Sequence, residues 1–380
     1  MVASGPAVAK RRLSLLALLP EWAPSVVLTL LIIGVYNVDS LLPHGPLLQG
    51  EVTRGAGLFH NWMHWDGGWY LLVYKQWYST TTFQRADNFL PLFPGLIRLL
   101  HTIVPFLSPE TLGVGLNVGA ISAAMAFVDR SVADWPRSQR LMLIALLVTL
   151  PSAFFYTAFY TEALFTLGAS IAVYGVVRDS PWITAFGAAF ATYDRVIGVF
   201  LVIPLLFLLV RHRRLSDVGA LALALCGLAA LFATYAVSVH DPLAFVHAQG
   251  LWPDHPYAMG YNAAAAAIGN ELFLGHGSDL ASAAGLWECV LVAGLILLTL
   301  FYWRKDLAIT GAVMFLATIV TGGYHSQLRY QLVLLPVWIG AVTVARRWRW
   351  ARWAIVAAIF AGLALTLHLV DSFVRWGWVG

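Results

Sequence analysis

The chain has 380 residues, of which 60% are hydrophobic and 11% charged, with a mean hydropathy of +0.75. A soluble domain carries roughly 25% charged residues, so this composition excludes an ordinary soluble enzyme or binding module. The net charge of +4 is held in short basic clusters between apolar runs, a distribution that speaks against nucleic acid as a partner.

Apolar runs near the ~20 residues needed to cross the hydrocarbon layer recur along the chain and define an all-α, polytopic integral membrane protein. No polar stretch is long enough for a separate soluble domain, so residues 1–380 are read as one membrane domain. The first span is expected over 24–42, closed by Pro43-His44-Gly45-Pro46. A long first outer loop, 43–110, follows. It is too aromatic to be disordered and is expected to hold interfacial helices. Within it, residues 89–107 combine an apolar run with Pro91, Pro94, Arg98 and Pro105, which favours a helix lying in the interface over a further crossing.

Spans are then expected near 111–128, 139–158 and 162–177. Two short helices over 181–210 are expected to meet at Asp194-Arg195, and further spans near 216–238, 280–303, 306–322, 327–345 and 351–370. This gives about eleven crossings, with a second long outer loop over 239–279. The basic clusters are Lys10-Arg11-Arg12, Arg137 with Arg140, Arg211 to Arg214, Arg304-Lys305 and Arg346-Arg347-Trp348-Arg349. All fall on one side in this topology, the cytoplasmic one by the positive-inside rule. The chain is therefore expected in the cell membrane as a multi-pass protein with both long loops outside the cytoplasm. Cys226 and Cys289 lie in apolar runs and read as small buried residues rather than disulfide or metal ligands. No His, Cys, Asp and Glu set has ligand spacing, so no metal is assigned, and whether a divalent ion assists is open.

In a chain this poor in charge, ionisable residues near apolar segments carry the information, because each costs about 2.5–3.5 kcal/mol at mid-bilayer on insertion scales. The stretch His64-Trp65-Asp66-Gly67-Gly68-Trp69-Tyr70 places one carboxylate among indoles, with glycines that permit a tight turn. Tyr160-Thr161-Glu162, Asp194-Arg195, His247-Ala248-Gln249 with Trp252, and His325, Gln327, Arg329 and Tyr330 fall at the same outer face. Each has a local explanation: an Asp-Gly turn, a helix-initiating Glu162, an Asp194–Arg195 ion pair, an interfacial His247, an Arg329 reaching lipid phosphate. Their clustering points instead to a shared chamber. A carboxylate can take the proton of an attacking hydroxyl, and arginine can hold a phosphate bidentately as its charge grows. Such a set suits, without requiring, sugar transfer from a polyprenyl-phosphate carrier.

The order Trp65-Asp66, Phe89-Leu90-Pro91-Leu92-Phe93-Pro94 and Phe159-Tyr160-Thr161-Glu162-Ala163-Leu164-Phe165 resembles the PIG-V mannosyltransferase family, which has bacterial members. So do Ala191-Thr192-Tyr193-Asp194-Arg195 with Gly198, Phe245-Val246-His247-Ala248-Gln249 with Trp252, and Arg329-Tyr330 ahead of Leu335-Pro336. The wider resemblance is to the GT-C glycosyltransferases, multi-spanning enzymes with an essential aspartate in the first outer loop. It implies a GT-C-like bundle and an inverting transfer of a sugar, expected to be mannose, from a polyprenyl-phosphate carrier. The acceptor would be a hydroxyl of a glycan, glycolipid or protein outside the cytoplasm. Asp66 would be the catalytic carboxylate, and Trp65, Glu162, Asp194, Arg195, His247, Gln249, Arg329 and Tyr330 would line the substrate site. Asp194 and Ile197 stand where the family pattern has a small polar residue and an asparagine, which leaves the sugar and the acceptor open. A transporter or flippase of a lipid-linked sugar is the alternative, and a non-catalytic membrane subunit a third reading.

Overall fold

The computed structural model describes residues 20–45, 59–79, 84–252, 280–321, 326–377 and 379. Lys10-Arg11-Arg12, most of the second long loop and His325 lie outside them. Regular structure among the described residues is entirely helical. The helices are α1 (Ala23–Leu41), α2 (Asp66–Gln76), α3 (Leu92–Ile103), α4 (Pro109–Ser131), α5 (Arg137–Val148), α6 (Glu162–Val177), α7 (Pro181–Asp194) and α8 (Val202–His212). They continue as α9 (Leu215–Val239), α10 (Ala244–Gln249), α11 (Leu280–Tyr302), α12 (Lys305–Thr321), α13 (Gln327–Tyr330), α14 (Leu335–Ala345) and α15 (Arg349–Val374).

Five helices, α1, α4, α9, α11 and α15, contain stretches long and apolar enough to cross a membrane. At 1.5 Å per residue they reach roughly 30–40 Å, against a hydrocarbon core of about 30 Å. The chain is thus a multi-pass, all-α membrane protein. A sixth span arises if Gln327–Val333 and Leu335–Ala345 are joined across their 74° bend. Pro336 in the first turn of α14 accounts for the break: lacking an N–H, it can open a helix but cannot continue one. Other helix starts follow the same chemistry. Ser108 caps α4 by accepting from the Thr111 N–H at 3.3 Å, with Pro109 as the first helical residue, and Pro181 opens α7.

The outer helices α1 and α9 leave Val27, Leu31, Val35, Val38, Leu225 and Val237 exposed. Such bare apolar stripes suit lipid contact. Cys226 belongs to this outer surface of α9 and is exposed, whereas Cys289 is buried; the expected burial of Cys226 is thereby corrected. The polar backbone of α9 is satisfied within the helix, so lipid can replace protein against its side chains.

The centre is built on α6, α7 and α4, around Phe154, Phe155, Phe159 and Phe165. Small residues let α6 and α7 approach closely. A Cβ on Gly187 would lie 2.4 Å from the Ala172 nitrogen and 2.6 Å from the Gly168 oxygen. Between helices in lipid, where burial offers little gain, such close backbone packing is the main cohesive term.

The basic loops meet at one end of the bundle. Arg140 lies 3.4 Å from buried Asp129, which accepts from Ser25 Oγ at 2.7 Å. Arg346 bonds Gln139 and sits 3.9 Å over Trp135. Arg347 donates to the Tyr302 carbonyl at 3.0 Å and Arg304 to that of Val176 at 3.4 Å, while Arg211 pairs with Asp179. Because α6 starts at Glu162 and ends next to Arg178, Glu162 stands at the far end from these loops.

Gly187→Val is expected to force α6 and α7 apart at an overpacking cost of about 1–3 kcal/mol, lowering the melting temperature of the purified protein by several degrees. Differential scanning fluorimetry checks this; an unchanged midpoint would mean the two backbones do not meet there.

Candidate functional site

Asp66 is the first residue of α2, and the turn that delivers it is unusual. Trp65 has φ 55° and ψ −119°, a conformation that costs a non-glycine residue about 1–3 kcal/mol and is kept only where its surroundings impose it. Here its indole N–H donates to the Gly377 carbonyl at 3.1 Å, and its ring tilts against Trp376 at 5.9 Å. His64, just before it, is buried, with Nδ1 2.8 Å from the Phe373 carbonyl and its ring stacked 4.0 Å from Trp376. Phe373 and Trp376, at and beyond the end of α15, therefore brace the turn. Tyr160 closes it: its hydroxyl donates to the His64 carbonyl at 2.9 Å and accepts the Asp66 N–H at 3.1 Å.

Around Asp66 the chain brings together residues far apart in sequence. Arg329, on the short helix α13, donates from Nη1 to Asp66 Oδ2 at 2.6 Å. Its Nε lies 3.5 Å from Glu162 Oε1, close enough for ionic attraction though not aligned as a hydrogen bond. Glu162, the first residue of α6, accepts at the same Oε1 from Arg195 Nη1 at 2.5 Å. Asp66, Arg329, Glu162 and Arg195 thus form one continuous charged chain with two carboxylates and two guanidiniums in balance. Both acids open helices, where the N-terminal dipole favours negative charge. Arg329 lies 5.4–5.5 Å over the rings of Phe155, Tyr160 and Tyr330, and Arg195 lies 5.7 Å over Tyr330. Tyr330 is thereby held between two guanidiniums.

Exposure separates the members. The side chains of Glu162 and Arg329 are buried, whereas Asp66 and Arg195 keep 17% and 19% of theirs accessible. Arg329 therefore holds Asp66 from behind, and Asp66 and Arg195 are the members an incoming molecule can reach. Gly68, two residues further on, has nothing among the described residues within 4 Å of where a Cβ would stand. Asp194 is buried beside Arg195, and neither carboxylate oxygen accepts a hydrogen bond among the described residues; Glu162 Oε2 is in the same condition.

Gln249 lies in a neighbouring structure. It donates to Asn88 Oδ1 at 2.6 Å, next to an aromatic wall in which Trp69 stacks on Phe89 at 5.8 Å and both meet the edge of Trp252. Trp69 is three residues after Asp66 on α2, so this wall flanks the charged chain. His247 is not brought in: exposed, it pairs with Asp241 at 2.7 Å. Among the described residues no group of three His, Cys, Asp or Glu side chains is arranged to hold a metal ion.

Two features escape the sequence reading. The bracing by Phe373, Trp376 and Gly377 has no local signal, since it depends on where the last helix ends. Glu288, buried on α11 with one carboxylate oxygen lacking a partner among the described residues, does have one: a lone acid inside an apolar run.

No protein-family model matches the chain, and no curated protein matches it.

Burial, the largest influence, holds the His64 imidazole down at about 4 from its usual 6.5, against a smaller upward pull from the bond to Phe373. Below pH 6.5 the unfolded chain takes up a proton that the folded chain refuses until about pH 4. Stability present above pH 6.5 is therefore lost as pH falls towards 4, by about 3 kcal/mol from this group. Melting temperature measured from pH 7 to 4 is expected to fall, and less steeply in His64→Gln; equal slopes would remove His64 as the cause.

Proposed function

We propose that the chain is an integral-membrane glycosyltransferase of the GT-C type, resembling the PIG-V mannosyltransferases. It moves a sugar, mannose by that resemblance, from a polyprenyl-phosphate carrier to a hydroxyl acceptor outside the cytoplasm. The observation that carries the reading is the Asp66–Arg329–Glu162–Arg195 chain at the end of the bundle opposite the basic loops. The proposal includes about eleven crossings, with the shorter helices α5 to α8 and α12 running between the same two ends. It also places the basic loops in the cytoplasm and hence the site outside it.

In this reading Asp66 accepts the proton of the acceptor hydroxyl as that oxygen attacks the anomeric carbon. The new C–O bond forms on the face opposite the breaking bond to the carrier phosphate, so configuration inverts. The bond to Arg329 keeps Asp66 oriented. Arg195 retains N–H donors beyond the one given to Glu162 and neutralises the departing phosphate. Asp194, buried beside Arg195, backs the pocket, and Trp65 with the Trp69–Phe89–Trp252 wall supplies apolar faces for the sugar or the carrier chain. Arg329, equally a candidate for the phosphate from sequence, is occupied by two carboxylates and acts on Asp66 instead.

The 74° break between Gln327–Val333 and Leu335–Ala345 is a feature shared with transporters and keeps one alternative in view, a flippase for a lipid-linked sugar. Counterflow of labelled lipid-linked sugar across vesicles without chemical transfer would favour it.

The test is incubation of purified protein in liposomes with polyprenyl-phosphate mannose and a panel of acceptors, read by mass spectrometry for a gain of one hexose. Wild type is expected to transfer. Asp66→Asn is expected to lose at least about 100-fold, the lower range for removal of a general base, while still inserting and folding. Near-normal turnover by Asp66→Asn would remove Asp66 from the mechanism.

A further inference from the structure

A polar concavity lies away from the Asp66 chain, between the C-terminal end of α2 and one face of α3. Its volume is about 450 Å³, and Tyr74, Lys75, Arg98, His101 and Thr102 line it. None of the five is acidic. Arg98 is fixed there, donating from Nε to the Tyr74 carbonyl at 2.5 Å and from Nη2 to that of Lys75 at 3.1 Å, with its guanidinium 5.0 Å over Trp77. These bonds satisfy carbonyls in the last turn of α2 and use two of the five guanidinium donors. His101 shares a hydrogen bond with the Tyr74 hydroxyl through Nδ1, and its Nε2 lies 3.2 Å from the Pro105 carbonyl. The Lys75 side chain is exposed at the rim.

What distinguishes this pocket from an ordinary basic patch is its setting. One face of α3 is buried through Phe93, Pro94 and Ile97. Leu99 and Ile103, one turn apart and each adjacent in sequence to a pocket residue, are 57% and 68% exposed, and Phe106 just beyond the helix is 83% exposed. A ridge of bare apolar side chains beside a cationic hollow, on a multi-pass membrane protein, fits the boundary between headgroups and acyl chains.

We propose that this pocket binds the headgroup phosphate of an anionic glycerophospholipid, with Lys75 and Arg98 on the phosphate and an acyl chain along Leu99, Ile103 and Phe106. The lipid would sit at the outer edge of α3 and pin that helix to the membrane surface. The proposal stands apart from the sugar-transfer reading.

The test is native mass spectrometry of delipidated full-length protein in detergent, titrated separately with phosphatidylglycerol and phosphatidylcholine, with millimolar inorganic phosphate as competitor. Wild type is expected to retain phosphatidylglycerol in preference to phosphatidylcholine, undisturbed by phosphate. Lys75→Glu is expected to reduce that occupancy at least about fivefold, the scale of one basic residue at an anionic surface, and Lys75→Arg to preserve it. Phe106→Ser is expected to weaken binding without changing headgroup preference. Lys75 is exposed, so folding should survive its replacement, and the melting profile of Lys75→Glu verifies this. Equal retention of the two lipids by wild type, unchanged occupancy in Lys75→Glu, or displacement by inorganic phosphate would each overturn the proposal.

Discussion

The site depends on the guanidinium of Arg329, which lies between Asp66 and Glu162 beneath a layer of aromatic rings. Away from water, a carboxylate without a partner is costly, and several kcal/mol are lost when one member of a buried pair is removed. Arg329 compensates two such groups at once, at 2.6 Å from Asp66 and 3.5 Å from Glu162. Glu162 in turn holds Arg195. Four separate parts of the chain, α2, α6, the turn after α7, and α13, are consequently fixed to one another by charge. That constraint explains why helices start or stop at these residues instead of running on: a helix end supplies the dipole that favours each acid and lets a charged side chain meet its partner.

The two ends of the bundle carry different chemistry. At one, arginines donate to helix-terminal carbonyls and stack on Trp135 and Tyr302; most of these groups are solvated, so their contacts add little stability. At the other, the charges are buried, paired and surrounded by Phe155, Tyr160 and Tyr330. The strained backbone of Trp65 belongs to this second end. Its cost is offset by His64, Trp376 and Gly377, so the last turns of α15 set the position of the first residue of α2. A rigid brace of that kind suits a carboxylate whose direction matters.

Much of this was legible in the sequence. Low charge and apolar runs define a helical membrane protein because lipid offers no partner for an unpaired backbone. Rare ionisable residues mark the site because each must be compensated, and Asp66, Glu162, Arg195, Arg329 and Tyr330 do meet. The pairing order was not legible: Arg329 reads equally well as a phosphate ligand, and only its geometry ties it to Asp66. His247 reads like Gln249 along the chain, yet it faces Asp241 across a short turn. Its neighbour Gln249 reaches Asn88, some 160 positions away. Such differences follow from helix rotation and from the path of distant segments, which local patterns do not encode. Cys226 was misread for a related reason, since in lipid an apolar neighbourhood does not imply burial.

The most direct test of the central claim is a double-mutant cycle on Asp66→Asn and Arg329→Gln, read as thermal stability in a fixed detergent or nanodisc. Residues joined by a buried ion pair show coupling energies of about 0.5–3 kcal/mol. The account predicts coupling in that range, with the double variant less destabilised than the two single variants together. Additive effects would show that Arg329 does not hold Asp66, and the shared charged chamber would fall with it.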